Sequence, residues 1–168
     1  MEEEIIKAIA DNRHTFQAIL SDLKQEMVTW KPSEDRWCIL EIVCHLFDEE
    51  VEDFRARVNH VLHTPEEPLT SINPVGWVTL RNYMEQDYQH MLSKFLDARQ
   101  HSIDWLQALD SPNWNNTLSN SELGSMSARK FLTNWLAHDY HHFRQINQLK
   151  YLHLRHHSPE KLDYAGKW

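Results

Sequence analysis

Apolar side chains recur at steps of three and four along four stretches of this chain, with polar or proline-containing segments between them. That period is the signature of helices with one buried face. Ile5, Ile6, Ile9, Phe16, Ile19, Leu20 and Leu23 trace the first stripe and predict a helix from about Glu3 to Met27. The loop "VTWKPSEDRW" follows, with Pro32 and Ser33 as a start signal and Trp37 as an anchor. A second helix is predicted from about Cys38 to His63, its stripe centred on Val43, Phe47 and Phe54. The segment "TPEEPLTSINPVGW" carries three prolines and a glycine and is the clearest break. A third helix, bent within its length, is expected from about Val78 to Leu109. After the turn-rich "DSPNWNNTLSNSELGSMS", Ser125 or Ser127 caps a fourth helix running to about His153. In the tail "SPEKLDYAGKW", Tyr164 and Trp168 are expected to fold back onto the helices.

Four amphipathic helices of about 25 residues, with no repeat or low-complexity tract, imply an all-α four-helix bundle. The long connections after the second and third helices admit a topology other than simple up-down-up-down. At 168 residues the chain is expected to form a single domain over residues 1–168, large enough for a substantial core. Three glycines and six prolines give little punctuation, which fits few, long elements.

Composition narrows the partners. The formal net charge is −8, and the basic residues are scattered among acids. Nucleic-acid binding rests on clustered Lys and Arg, so no nucleic-acid partner is expected. No stretch has the length of apolar residues that spans a bilayer, and "MEEEIIKAIADNRH" lacks the basic start and apolar run of a secretory signal. No membrane partner is expected, and the location is read as cytoplasmic. Cys38 and Cys44 are too few for a disulfide framework and project from separate faces of one helix, so both are read as reduced packing residues.

The chemistry is in the histidines. Phe131, Trp135, His138, His142, Ile146, Leu149 and Leu152 form the seam of the fourth helix, which places two imidazoles among large apolar side chains. Histidines at i and i+4 point the same way about one turn apart, roughly 6 Å along the axis, and suit two ligands of one metal ion. The competing reading is a pair of core histidines bonded to backbone or carboxylates. His153 and His157 share the spacing, but they and His156 lie at a helix C-terminus, where cationic imidazole is favoured by the helix dipole. His60 and His63 end the second helix in the same way, and His14, His90, His101 and His141 read as solvated or rim residues. His45 projects opposite the apolar stripe of its helix, on the side of Glu41, Glu49 and Glu52, so periodicity reads it as a polar-face residue.

The segments "WKPSEDRWCILEIVCHL" and "NWLAHDYHHFRQI", with the closing "YAGKW", resemble the DinB/YfiT-like superfamily of metal-dependent enzymes. The pattern is a Trp, a His eight residues later, then His-x3-His-x2-Gln on the last helix. Here these are Trp37, His45, His138, His142 and Gln145, and the likeness runs from about residue 28 to the end. The resemblance implies a bundle of up-down-down-up topology, often a homodimer, with His45, His138 and His142 holding a divalent ion such as zinc or nickel. It further implies action on a small-molecule substrate, with thiol-dependent S-transfer using a low-molecular-weight thiol as the first expectation. Metal-dependent hydrolysis is the alternative, and a non-catalytic metal-binding or stress-related protein the second. An ion held by three neutral imidazoles keeps its full double charge and suits activation of water or of a thiol, so the ligands alone do not separate these. Glu49, one turn beyond His45, is the candidate catalytic helper, as general base or as a partner of the imidazole; Gln145 could orient a ligand.

Overall fold

The computed structural model describes residues 1–118 and 124–166 of the chain. Helix α1 spans Glu2–Leu20, with Glu2, Glu3 and Glu4 in its first turn, where negative charge meets the positive end of the helix dipole. It stops at Leu20, short of the expected Met27. Ser21 is extended, Asp22 is left-handed, and a separate short helix α2 (Gln25–Thr29) follows. The Pro32–Ser33 signal opens no helix of its own, and helix α3 (Ile39–Asp48) starts at the expected Cys38, which is its N-cap. There the Glu41 carboxylate accepts the Cys38 backbone N–H at 2.9 Å and also takes Lys31 Nζ at 2.7 Å. It continues through a π turn, Glu49–Phe54, into α4 (Arg55–His63).

The expected third helix is two elements. α5 (Pro74–Leu80) is capped by Asn73, which accepts the Gly76 N–H at 3.0 Å, and Asn82 in left-handed conformation ends the segment. α6 (Tyr88–Ala108) then begins where Asp87 accepts the His90 N–H at 2.7 Å. α7 (Ala128–His157) is capped by Ser127, one of the two predicted serines, through the Lys130 N–H at 3.1 Å. No helix among the described residues is long and apolar enough to cross a membrane.

Cross-helix pairs fix the directions. Tyr88 at the start of α6 donates to Leu20 O at the end of α1 (2.7 Å), so these two run antiparallel. The Lys94 ammonium lies over Phe47 and Arg99 bonds Glu50, so α3–α4 and α6 run parallel. His45 meets His142, and Phe54 stacks on Trp135, so α7 runs antiparallel to α3–α4. Asn12 bonds Asp139, and Lys150 reaches Ile19 O, so α1 and α7 are parallel. The result is up-down-down-up. α1 packs on α6 and α7 and sits diagonal to α3–α4. Both parallel pairs depend on the long connections.

Two apolar cores stack along the bundle. One holds Phe16, Leu20, Val43, Leu92, Phe95 and Ile146; the other holds Ile9, Phe54, Val58, Ile103, Phe131 and Trp135. Between them every main helix contributes polar side chains at one level: Asn12, then His45, Glu49 and Glu50, then Arg99, then His138, Asp139 and His142. The π turn lies in this layer. Tyr164 is fully exposed rather than folded back, and Trp168 lies outside the described residues.

Candidate metal centre

Helix α3 explains why a simple wheel misplaces His45. Ile39, Leu40, Glu41, Ile42, Val43, Cys44, His45, Leu46 and Asp48 are all buried, because the helix is enclosed by α2, α5, α6 and α7. A segment covered on every side has no solvent face, so its polar positions are also interior. His45 points at α7, away from the Val43 side, and is 7% exposed.

There the three imidazoles converge. The Nε2 atoms of His45 and His138 are 3.3 Å apart, and those of His142 and His138 are 3.0 Å apart. Two ligands of one tetrahedral ion, each at 2.0–2.1 Å, lie about 3.3–3.4 Å from each other, so the spacing fits a shared ion. A neutral imidazole nitrogen offers either one proton or one lone pair. His138 Nε2 faces two other nitrogens and can satisfy only one of them by hydrogen bonding. A cation in the middle satisfies all three.

Burial also fixes the protonation state. Desolvation lowers His45 to about 3, with the His142 charge adding to the effect. It lowers His138 to about 2, reinforced by His142 and His45. For His142 desolvation leads again, to about 4, against the opposing pull of Gln145 and Asp139. All three are neutral at pH 7 and present lone pairs, the form that binds metal.

The supporting residues divide into two groups. Behind His45, Glu49 Oε1 is 4.0 Å from Nδ1, on the ring edge opposite the converging nitrogens. Burial raises Glu49 to about 8, and hydrogen bonding to Asp53, itself ion-paired with Arg57, adds to the shift. Glu49 thus stands on the outer side of the imidazole without a hydrogen bond to it, and His45 Nδ1 is buried with no hydrogen-bond partner. The second group is the rest of the polar layer. Arg99, 1% exposed, holds Asp139 through two bonds of 2.8 Å and Glu50 through Nε at 2.9 Å. Asn12 donates to Asp139 at 3.0 Å, and Trp135 Nε1 donates to Glu50 at 3.0 Å. Asp139 follows His138 directly, so this network sets the rotation of α7 at the site.

Asn12, Glu50 and Arg99 were not among the sequence candidates. Their signal is visible in retrospect: Asn12 falls in the stripe between Ile9 and Phe16, and Arg99 in the stripe between Leu96 and Ile103. Cys38 and Cys44 are buried free thiols, pushed by burial to about 11 and about 12. His14, His90, His101 and His141 are exposed.

A cleft of about 260 Å³ lies between the 32–37 loop and α7; none of the three histidines lines it, and Trp37 and Gln145 stand between it and the centre. Trp37, whose ring lies 4.9 Å from that of His45, and Gln145, one turn after His142, form its inner wall; Arg36, Gln148 and Arg155 line the rest.

The profile of the DinB superfamily matches residues 8–146. Among curated proteins, no sequence matches this chain. Among solved structures, the fold is similar to YfiT from Bacillus subtilis, described as a probable metal-dependent hydrolase with an unusual four-helix bundle topology. The two share 13% identity with a TM-score of 0.76, over 88% of this chain and 85% of that one. With the profile spanning most of its length, this chain belongs to the DinB superfamily.

Proposed function

We propose that this protein is a metal-dependent enzyme acting on a small anionic molecule, with thiol-dependent S-transfer as the reading placed first and hydrolysis second. The observation that carries the reading is the convergence of three neutral imidazole nitrogens from α3 and α7 beside a cleft carrying Arg36 and Arg155. His45, His138 and His142 would hold the ion, and a borderline dication such as zinc or nickel suits an all-nitrogen set. When bound, such an ion lowers the pKa of a thiol or a water and supplies a nucleophile at neutral pH.

The chain's own residues do the rest. Arg36 and Arg155 bind acid groups of the substrate or thiol by charge-assisted hydrogen bonds. Trp37 and Phe54, whose rings lie 4.9 Å from His45 and His138 respectively, exclude water from the flanks of the site. Glu49 acts as a positioning residue for His45. The free, buried cysteines accord with a reducing cytoplasm, where low-molecular-weight thiols are abundant.

Hydrolysis is the second reading, favoured by the description of YfiT as a probable metal-dependent hydrolase. The test has two stages. Metal content of the wild type is compared with His45→Ala, His138→Ala and His142→Ala; equal content in all four would end the proposal. Loaded enzyme is then offered thiols with an electrophile, and separately esters and amides. Turnover confined to the thiol panel supports transfer, turnover confined to the second supports hydrolysis, and none in either leaves a non-catalytic metal-binding protein.

A further inference from the structure

We propose that Glu26, His153 and His157 form a second divalent-metal site, separate from the three-histidine centre, that ties α2 to the last turns of α7. One ligand atom from each of the three lies within 4.8 Å of the others. The sequence places His153 and His157 one turn apart; the fold adds Glu26 from a different helix, with Oε1 at 3.4 Å from His157 Nε2.

The tautomer of His157 is settled by its surroundings. Its Nδ1 lies 2.9 Å from the backbone carbonyl of His153, which can only accept, so Nδ1 carries the proton. In the neutral ring Nε2 then carries the lone pair, and it faces Glu26. Outer bonds of this kind, from a ring N–H to a backbone carbonyl, are how metal-bound histidines are oriented. His153 Nε2 is buried with no hydrogen-bond partner, which is costly for a polar atom unless something else meets it.

The setting also fits a cation held between the rings. The His153 and His157 rings are 4.1 Å apart, too close for two positive charges to share without repulsion. Trp30 covers one side, with its ring 5.4 Å from that of His153 and 5.7 Å from that of His156. Two imidazoles and a carboxylate are a borderline donor set that takes Zn²⁺, Ni²⁺ or Cu²⁺ in preference to Ca²⁺ or Mg²⁺. His142 and His153 are eleven residues apart on one helix, about 16 Å along the axis, so the two ions share no ligand. Since Glu26 and His157 are exposed, this second site exchanges its ion freely. The loop that follows α2 carries Arg36 and Trp37, so an ion here stiffens the wall of the cleft.

The experiment is equilibrium dialysis of tag-free protein against Zn²⁺, with circular dichroism to check that each variant is helical. Wild type should bind two ions. His153→Ala and His157→Ala should each bind one, His138→Ala should bind one, and His138→Ala with His153→Ala should bind none. Glu26→Gln should weaken the second ion by about tenfold or more, at least what loss of an outer partner costs, and His156→Ala should leave both ions in place. In the His138→Ala background, Zn²⁺ should still raise the Tm, and adding His153→Ala should abolish that rise. Unchanged stoichiometry in His153→Ala and His157→Ala would overturn the proposal, as would loss of the ion in His156→Ala. If the three-histidine centre fails instead, wild type binds one ion that His138→Ala retains and His153→Ala loses, which supports the second site alone.

Discussion

Arg99→Met is the most revealing single change, because it removes the cation that pairs two of the buried carboxylates in this layer, Glu50 and Asp139. Arg99 is 1% exposed, Glu50 1% and Asp139 0%. In the wild type the guanidinium binds both; without it, Asp139 keeps only the Asn12 amide and Glu50 only the Trp135 indole N–H. Breaking a buried ion pair by deleting one partner costs about 3–5 kcal/mol, since a charge is left without compensation. For a chain of this size a kilocalorie corresponds to about 2–4 °C, so Tm should fall by roughly 6–20 °C. Urea unfolding of chelator-treated protein measures the free energy directly. The companion variant Arg99→Met with Glu50→Gln and Asp139→Asn removes the three charges together, and should recover most of the loss, because no member of the triad is left charged without its partner. An unfolding free energy for Arg99→Met within about 1 kcal/mol of wild type, the scale of an exposed pair, would refute the role assigned to this layer. So would a triple variant no better than the single one.

Further expectations concern the site itself. In metal-free protein the folded pKa of His138, about 2, is far below its usual 6.5, so between these values only the unfolded chain takes up a proton. Stability is therefore lost as pH falls through 6.5; from pH 7.5 to 5.5 wild type should lose about 1.4 kcal/mol more than His138→Ala, and parallel slopes would contradict this. Glu49 has the opposite sign: with its folded pKa raised to about 8, the folded state holds the extra proton and stability falls as pH rises from 4.5. Glu49→Gln should accordingly be more stable than wild type at pH 8.5 by denaturant titration, and similar to it at pH 4.5. Glu49→Ala should lower metal affinity at the three-histidine centre by about 10–100-fold, the usual cost of losing an outer-shell partner, with competition against a chelating dye as the measurement. Tyr83→Phe removes a 2.5 Å bond to Asp48, a buried carboxylate also held by Arg81, and should cost about 1–3 kcal/mol in urea unfolding.

The pattern of apolar and polar positions determined the helical class, the main helical regions and the pairing of His138 with His142. These are local facts: a 3.6-residue period and an i, i+4 spacing need no knowledge of neighbours. Breaks inside a predicted helix were less legible. The stop before Asp22 and the division at Asn82 depend on left-handed residues, a conformation that the apolar period does not register.

Helix periodicity did not decide the fate of His45. Its residue type and spacing give a solvent face by periodicity, and only the family likeness set it beside the other two. The enclosure of α3 on all sides supplies the physical reason, because burial belongs to the neighbours a helix acquires and not to its own pattern. The same holds for Asn12, Glu50, Arg99 and Asp139, which come from four separate helical segments and become one layer only when the up-down-down-up path brings them level. Glu26 joins His153 and His157 for the same reason. A sequence states which groups carry lone pairs and charges; the packing decides which of them lose water together, and so which must share a partner.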